Sequence, residues 1–482
     1  MGNTMASQPA AANPSASSKR LLPWLVAVAF FMESLDTTIL NTAVPAISAA
    51  LGVAPLSMKA VLASYTLSLA VFIPISGWMA DRFGTRLVFA SAIGLFTLGS
   101  FLCGISGNIH LLVACRILQG CGGAMMVPVG RLTLVRAFAK ADLLRTMSFV
   151  SIPALVAPML GPIAGGLIVG YLHWRFIFFL NIPIGLAGLI LVYIHLPDYR
   201  EETSHPLDVV GLILFGSGIA LLSYVLEIFG EHTLSAREMS VLLALSVILL
   251  AGYWVHARSL QFPLLQLKLF SIRTFRAAVS GSFFTRLGIG GVPFLLPLLY
   301  QVGLGFTPIQ SGLLVMPQAI AAMSMKTLMP GLLKRAGYRG VLISNTLILG
   351  VLLMVFATVG LRTPVWAIVL QAFLYGAFTS LQYTSMNTLV YADITEQGTS
   401  SASSIASTMQ QMSISFGVAT AGLATAFFVP STHTDPTEMI TGIHKALVAL
   451  GVLTIVSTIV FRSLKTGDGD DVSQHKVLHP GG

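Results

Sequence analysis

Of 482 residues, 55% are apolar and 9% are charged, and the mean hydropathy is +0.84. Soluble domains carry roughly 25% charge, so 27 basic and 18 acidic side chains are too few to coat a water-exposed protein of this length; a soluble enzyme, a nucleic-acid binder and a secreted disulfide scaffold are excluded. The net charge of +9 comes from basic residues scattered through short loops between apolar runs, which is an orientation signal and not a nucleic-acid patch.

In chain order, residues 1–20 form a tail of Ala, Ser, Pro and Asn that is expected to be disordered and cytoplasmic. A membrane-crossing helix needs about 20 mostly apolar residues. Fourteen segments meet that length: 21–47, 58–80, 87–107, 110–138, 144–171, 174–196, 207–229, 240–257, 274–302, 308–333, 340–361, 364–391, 403–428 and 440–462. The first is too long for the apolar part of a secretory signal and contains Glu33 and Asp36, so it reads as a retained span. Ten-residue alternation of the outer-membrane barrel kind is absent. Residues 463–482 are polar and read as a second disordered cytoplasmic tail. The fold class is all-α integral membrane, with 14 transmembrane helices.

An even number of spans places both termini on one side. That side holds eighteen of the 27 Lys and Arg, the other side holds five, and Arg116, Arg131, Arg286 and Lys326 fall inside spans. Basic residues collect on the cytoplasmic side, so both ends are expected in the cytoplasm and the chain in the inner membrane. An internal repeat is also visible. Arg82-Phe83-Gly84-Thr85-Arg86 follows the second span, and Arg335-Ala336-Gly337-Tyr338-Arg339 follows the tenth, with three identities at an offset of 253. Both copies follow the second helix of a six-helix set, which predicts a bundle over 21–196, an inserted helix pair over 207–258 and a second bundle over 274–462.

Ionisable side chains inside a membrane cost roughly 2.5–3.5 kcal/mol each on insertion scales, so they mark function. Glu33 and Asp36 stand at i, i+3 on one face of span one, with Asn41 close to that face. Two close carboxylates repel each other and lose hydration when charged, which suits a proton carrier; the plainer reading is two acids facing a wet vestibule. Span four carries Arg116, Gln119, Gly120 and Gly123 on one face, and Arg116 needs a partner: Asp36, Glu33 or a substrate anion. Pro158, Gly161, Pro162, Gly165 and Gly166 make span five kinkable and closely packed. Phe30, Phe31 and Tyr65 are expected as aromatic cavity walls. From the second half come Arg286 and Lys326, and Arg286 stands at Glu33 plus the repeat offset. Cys103, Cys115 and Cys121 lack metal or disulfide spacing and read as small buried residues. No metal and no cofactor are expected.

Gly77-Trp78-Met79-Ala80-Asp81-Arg82-Phe83-Gly84-Thr85-Arg86 resembles the cytoplasmic-loop signature of the major facilitator superfamily. Arg116-x-x-Gln119-Gly120-x-Gly122-Gly123-Ala124 resembles its span-four motif, and Gly161-Pro162-x-x-Gly165-Gly166 the span-five motif of its antiporters. The run Leu35 to Pro45, with Trp174-Arg175 and Asn181-Ile182-Pro183, resembles the fourteen-span drug:proton antiporter branch; Ala157 departs from it, standing where the antiporter motif usually has Gly. The resemblance implies a major facilitator fold whose two bundles rock about a midplane cavity, protons entering as substrate leaves. It implies a coupling role for Asp36 and Arg116, and a cytoplasmic gate of Gly77, Asp81, Arg82, Gly84 and Arg86.

No lysine follows a glycine, so a nucleotide-binding P-loop is excluded and ATP is not a partner. The driving force is then an ion gradient, with protons favoured over sodium because carboxylates supply the titrating groups. The expected function is not enzymatic: proton-coupled export of drugs or other lipophilic compounds. A second reading is export of an organic anion or a metal–citrate chelate, with Arg286 as a carboxylate fork and Lys326 as a point charge. A substrate-gated membrane sensor is the alternative of a different class. The expected partners are a small-molecule substrate, protons and the lipid bilayer, with no nucleic acid and no required accessory envelope protein.

Overall fold

The computed structural model describes residues 16–138, 140–200, 206–228, 235–395, 398–428 and 436–470. Backbone amides and carbonyls find no partner in hydrocarbon, so apolar runs of this length close their hydrogen bonds within themselves as helices. The helices are α1 (Ala16–Leu51), α2 (Lys59–Phe83), α3 (Thr85–Ile105), α4 (Ile109–Ala137), α5 (Lys140–Tyr171), the short α6 (Phe176–Phe179), α7 (Asn181–His195), α8 (Val209–Ile228) and α9 (Ala236–Ser259). They continue as α10 (Arg273–Ile289), α11 (Val292–Leu298), α12 (Pro308–Phe356), α13 (Val365–Leu389), α14 (Thr399–Phe428) and α15 (Pro436–Phe461). No strand occurs among the described residues.

Among the described residues, twelve helical stretches are long and apolar enough to cross a membrane. The 49-residue α12 is two helices meeting at Gly337, whose φ of 64° no helical residue adopts, and α5 with its three internal prolines is a further crossing candidate. Fourteen spans are compatible with this set. The stretch expected as one span over 274–302 matches one crossing stretch, Arg273–Gly303, built of α10, α11 and a π-helical turn at Leu299–Gly303, because Gly290, Gly291, Pro293 and Pro297 interrupt the regular ladder.

Two corrections concern the tails. Helix α1 begins at Ala16, inside the stretch expected as a tail, and residues 1–15 lie outside the described residues. At the other end, residues 462–470 fold back: Leu464 is buried, Arg273 grips Asp468 through Nε and Nη2, and Gly469 packs on Tyr338. A guanidinium at the start of α10 gives the polar segment something to hold. Residues 471–482 lie outside the described set.

Three apolar cores organise the molecule. Let the terminal face be the one at which α1 begins and α15 ends, and the distal face the opposite one. Near the distal face a single core joins helices of both halves of the chain, including Ile39, Val44 and Phe178 with Ile289, Leu299, Leu353 and Leu450. Near the terminal face there are two cores, one among α1–α7 (Val26, Phe30, Phe89, Leu196) and one among α8–α15 (Phe215, Phe275, Tyr338, Phe461), the second also touched by Leu67 of α2. Named contacts between the halves agree with this division. Gln301 donates to the Thr42 carbonyl, Ser415 donates to the Ala63 carbonyl, and Gly166 lies against Pro308. The helices thus form a V, joined distally and parted toward the terminal face. Helix α8 packs on α9 and also touches α2 and α14, bridging one side of the V.

The repeat survives in the backbone. Gly84 and Gly337, at equivalent places in the two five-residue segments, have φ of 93° and 64°, a region that penalises any side chain.

Candidate functional site

Asp36 is buried on α1 at 1% exposure, about one turn from Met32 of the terminal-face core and about one turn from Ile39 of the shared core. Two helices, α4 and α7, supply its donors. Arg116 on α4 donates from Nη1 to Oδ2 at 2.5 Å, Gln119 donates from Nε2 to Oδ1 at 2.9 Å, and Asn181 at the start of α7 donates from Nδ2 to Oδ1 at 3.0 Å. Arg116 Nη1 also donates to Gln119 Oε1, and Asn181 Nδ2 to Ser100 Oγ. The guanidinium carbon of Arg116 lies 4.1 Å from the ring centroid of Tyr65, while its Nε has no partner among the described residues. A carboxylate and a guanidinium at 1% exposure are tolerable only as a pair with their remaining hydrogen-bonding positions filled. Protonating Asp36 would remove the charge that holds Arg116, Gln119 and Asn181 together.

Small residues let these helices come together. A Cβ at Gly120 would fall 2.6 Å from Ser68 Cβ, and one at Gly123 would fall 2.7 Å from the Tyr65 hydroxyl, so α2 lies directly on the Arg116 face of α4. On α5, a Cβ at Gly161 would collide with Thr38 and one at Gly165 would stand 2.5 Å from the Ile39 carbonyl, which seats α5 on α1 just past Asp36. The adjacent side of α5, about 100° around the helix, meets the second half of the chain, Gly166 against the Pro308 carbonyl and Pro162 against Gly312. Helix α5 is therefore wedged between the Asp36 helix and α12, with Pro158 beside it in the same stretch.

The other expected site residues divide. Glu33 is half-buried a turn before Asp36 and shares its face, but Arg116 pairs with Asp36 and not with Glu33. Asn41 is not part of the network: its amide turns back to the Thr37 carbonyl of its own helix at 3.4 Å. Phe30 is buried in the terminal-face core and Tyr65 is wholly buried under Arg116, so neither forms an open wall as expected; Phe31 is half-buried. Arg286 and Lys326 are not brought together. Arg286 is buried against Tyr383, whose ring centroid is 3.6 Å from its guanidinium carbon, whereas Lys326 is exposed on α12.

The expected gate loop is tied to its own half. Asp81 accepts from Arg136 Nη2 at 2.8 Å, Arg86 donates its backbone N–H to Asp198 and its Nε to the Leu196 carbonyl, and Gly84 faces the Asp198 carboxylate. Arg82 and Gly77 are exposed. The partners named here all belong to the first half of the chain. Among residues the sequence did not single out for the site, Asn181 and Ser100 complete the Asp36 shell. An Asn between Leu180 and Ile182 inside an apolar run was the available signal.

Residues 26–418 match the family model of the Major Facilitator Superfamily. The chain is 42% identical over 405 residues to MdtD of Serratia proteamaculans strain 568, covering 84% of this chain and 85% of the relative. It is 41% identical over 437 residues to MdtD of Escherichia coli K12, covering 89% and 93%; both relatives are named as multidrug resistance proteins. In fold it is similar to a POT family transporter solved with 5-aminolevulinic acid, with a TM-score of 0.67, 14% identity and coverage of 92% and 95%. A bacterial homologue of the lysosomal transporter Spinster, solved inward-facing and unoccupied, gives 0.65 at 13% identity with 93% and 98% covered. With its helices, its motifs and these relatives in agreement, the chain is a multi-pass membrane transporter and belongs to the major facilitator superfamily.

Proposed function

We propose that this protein is a proton-coupled antiporter of the inner membrane that exports drugs or other lipophilic compounds by alternating access. The observation that carries the reading is the buried Asp36, matched by Arg116, Gln119 and Asn181 where the shared core gives way to a parted V. The excess of Lys and Arg makes the terminal face cytoplasmic, so the open end of the V faces the cell interior and both termini lie there. The names of the MdtD relatives support drugs as the substrate class.

In the proposed cycle, ionised Asp36 belongs to the inward-open form that accepts a lipophilic cation, drawn also by Glu33. After the distal face opens, a proton from outside neutralises Asp36 and releases Arg116 and the amides. That loss of pairing biases the bundles toward their other arrangement, because a ligand shifts an equilibrium only through its different affinity for the two states. Asp81 and Arg86 then release their present partners and, with Arg82, close the terminal face, and the span-five motif transmits the movement of α1 to α12. Each proton driven inward by 100 mV brings about 2.3 kcal/mol to the exchange.

The test is reconstituted vesicles with a cationic dye and an imposed pH gradient. Asp36→Asn keeps size and one acceptor oxygen but cannot titrate and turns the other oxygen into a donor; dye binding is expected to survive while uphill export is lost. Gradient-driven export at the unaltered rate in that variant would remove Asp36 from coupling.

Arg286 favours a second reading, export of an organic anion alone or as a metal chelate. It is buried with no acidic partner among the described residues. Citrate and its metal complex, supplied to the wild-type protein in vesicles, would compete with dye for export if this reading holds; export of dye unchanged by either would discard it.

A further inference from the structure

Two charged side chains of the spans stand unmatched at related positions. Glu33 makes no hydrogen bond or ion pair with any described residue. Its charged neighbours are Asp36, already matched by Arg116, and Arg131, which is exposed and stands 5.7 Å from the Phe30 ring centroid. Arg286 is 2% exposed; its Nε donates to Ser282 Oγ at 3.0 Å and its guanidinium stacks on and hydrogen-bonds Tyr383, with no carboxylate beside it among the described residues. Stacking recovers only part of what a guanidinium loses on leaving water. A charge held this way in one state is reasonable if another state supplies its counter-ion.

The repeat says where that counter-ion is. The offset of 253 that carries Arg82 to Arg335 also carries Glu33 to position 286, and the matched left-handed glycines show that the relation extends to the backbone. Helices α1 and α10 are thus equivalent helices of the two halves, with Glu33 and Arg286 at the same depth. The cores agree: Ile39 and Ile289, on the distal side of each residue, belong to the shared core, whereas Phe30 and Val279, on the terminal side, belong to separate cores. Both charges therefore sit where the V begins to part.

We propose that Glu33 and Arg286 meet across the cleft as an ion pair when the terminal-face halves swing together, and that the pair stabilises the closed form. The inference rests on the alternating-access reading. It makes Glu33 a positioning residue distinct from Asp36: Asp36 is matched within its own half in the open form, and Glu33 is matched from the other half in the closed form. Arg131 is the competing partner, and it would keep Glu33 within its own half.

Spin labels at Phe83→Cys on α2 and Ser401→Cys on α14, with the three native cysteines changed to alanine, report the separation at the terminal face. The unaltered site is expected to give a long and a short distance in detergent and in vesicles. Glu33→Gln and Arg286→Gln should each lower the short-to-long ratio about tenfold, and Glu33→Gln should add nothing once Arg286 is already Gln. The exchange Glu33→Arg with Arg286→Glu should return the ratio to within about threefold of the starting value. Single variants that leave the ratio unchanged, or additive effects in the Gln double variant, overturn the pair and point to Arg131. A protein with only the long distance at every pH, with and without a cationic dye, overturns alternating access itself and this inference with it.

Discussion

Asp36 tolerates complete burial because each of its oxygens has a donor, and each donor comes from a helix fixed by close packing. The sequence made part of this legible. Spacing alone put Arg116 and Gln119 on one face of α4, but three partners for Arg116 stayed open until the helices were placed. Nor does spacing reveal that Asn41 bonds back to Thr37, since a carboxamide one turn from a carboxylate looks equally available to either. Close packing gives a prediction at this scale. Gly165→Ala places a methyl 2.5 Å from the Ile39 carbonyl, a backbone atom that cannot turn aside. A destabilisation of about 1–3 kcal/mol is expected, read as a lower melting temperature in detergent. Gly188→Ala is the control, because its nearest contact would be an ordinary 3.8 Å to Ile93, and it should melt no lower than the unaltered protein.

Among whole elements, hydropathy located the spans to within a few residues because lipid leaves the backbone no alternative to a helix. It failed where polar segments gained partners that only the fold provides. Residues 462–470 read as a free tail, yet Asp468 receives Arg273 and the Lys465 backbone N–H. At 273–303 it located the crossing, but not that glycine and proline divide the crossing into α10, α11 and a π-helical turn. The folded tail carries a pH prediction. Burial pushes the Asp468 carboxyl up, but the Arg273 fork and the Lys465 amide outweigh it and hold the group below the usual carboxylate range. A folded value below the unfolded one means that the contribution is present above the ordinary carboxylate value of about 3.9 and lost as pH falls through the lower folded value. Melting scans should therefore show Asp468→Asn less stable than the unaltered protein at neutral pH, with the difference shrinking toward pH 2. A difference that persists unchanged to the most acid point would assign the loss to packing and not to the charge.

For the molecule as a whole, the division into one shared core and two separate ones is invisible in the sequence, because every span is apolar whichever neighbour it meets. The repeat gave the two halves their equivalence but no account of which face joins them. Beside the shared apolar core, contact between backbones joins them: Gly312 lies against the Pro162 carbonyl and Gly166 against that of Pro308. Such contact has no soft side chain to absorb an addition. A leucine at position 312 would have to displace α5 from α12 at the distal face while leaving both terminal-face cores untouched. In the proposed two-state cycle, a wedge that costs the distally closed form 1.4 kcal/mol moves the balance tenfold toward the other form. Gly312→Leu should accordingly raise the share of the short distance between labels at positions 83 and 401, opposite in sign to Glu33→Gln. It should also slow labelling of a Lys326→Cys thiol if that exposed side chain faces the cleft, and leave it unchanged if it faces lipid. An unaltered distance distribution with a lowered melting temperature would mean that the distal contact stabilises the fold without holding one state of the transporter.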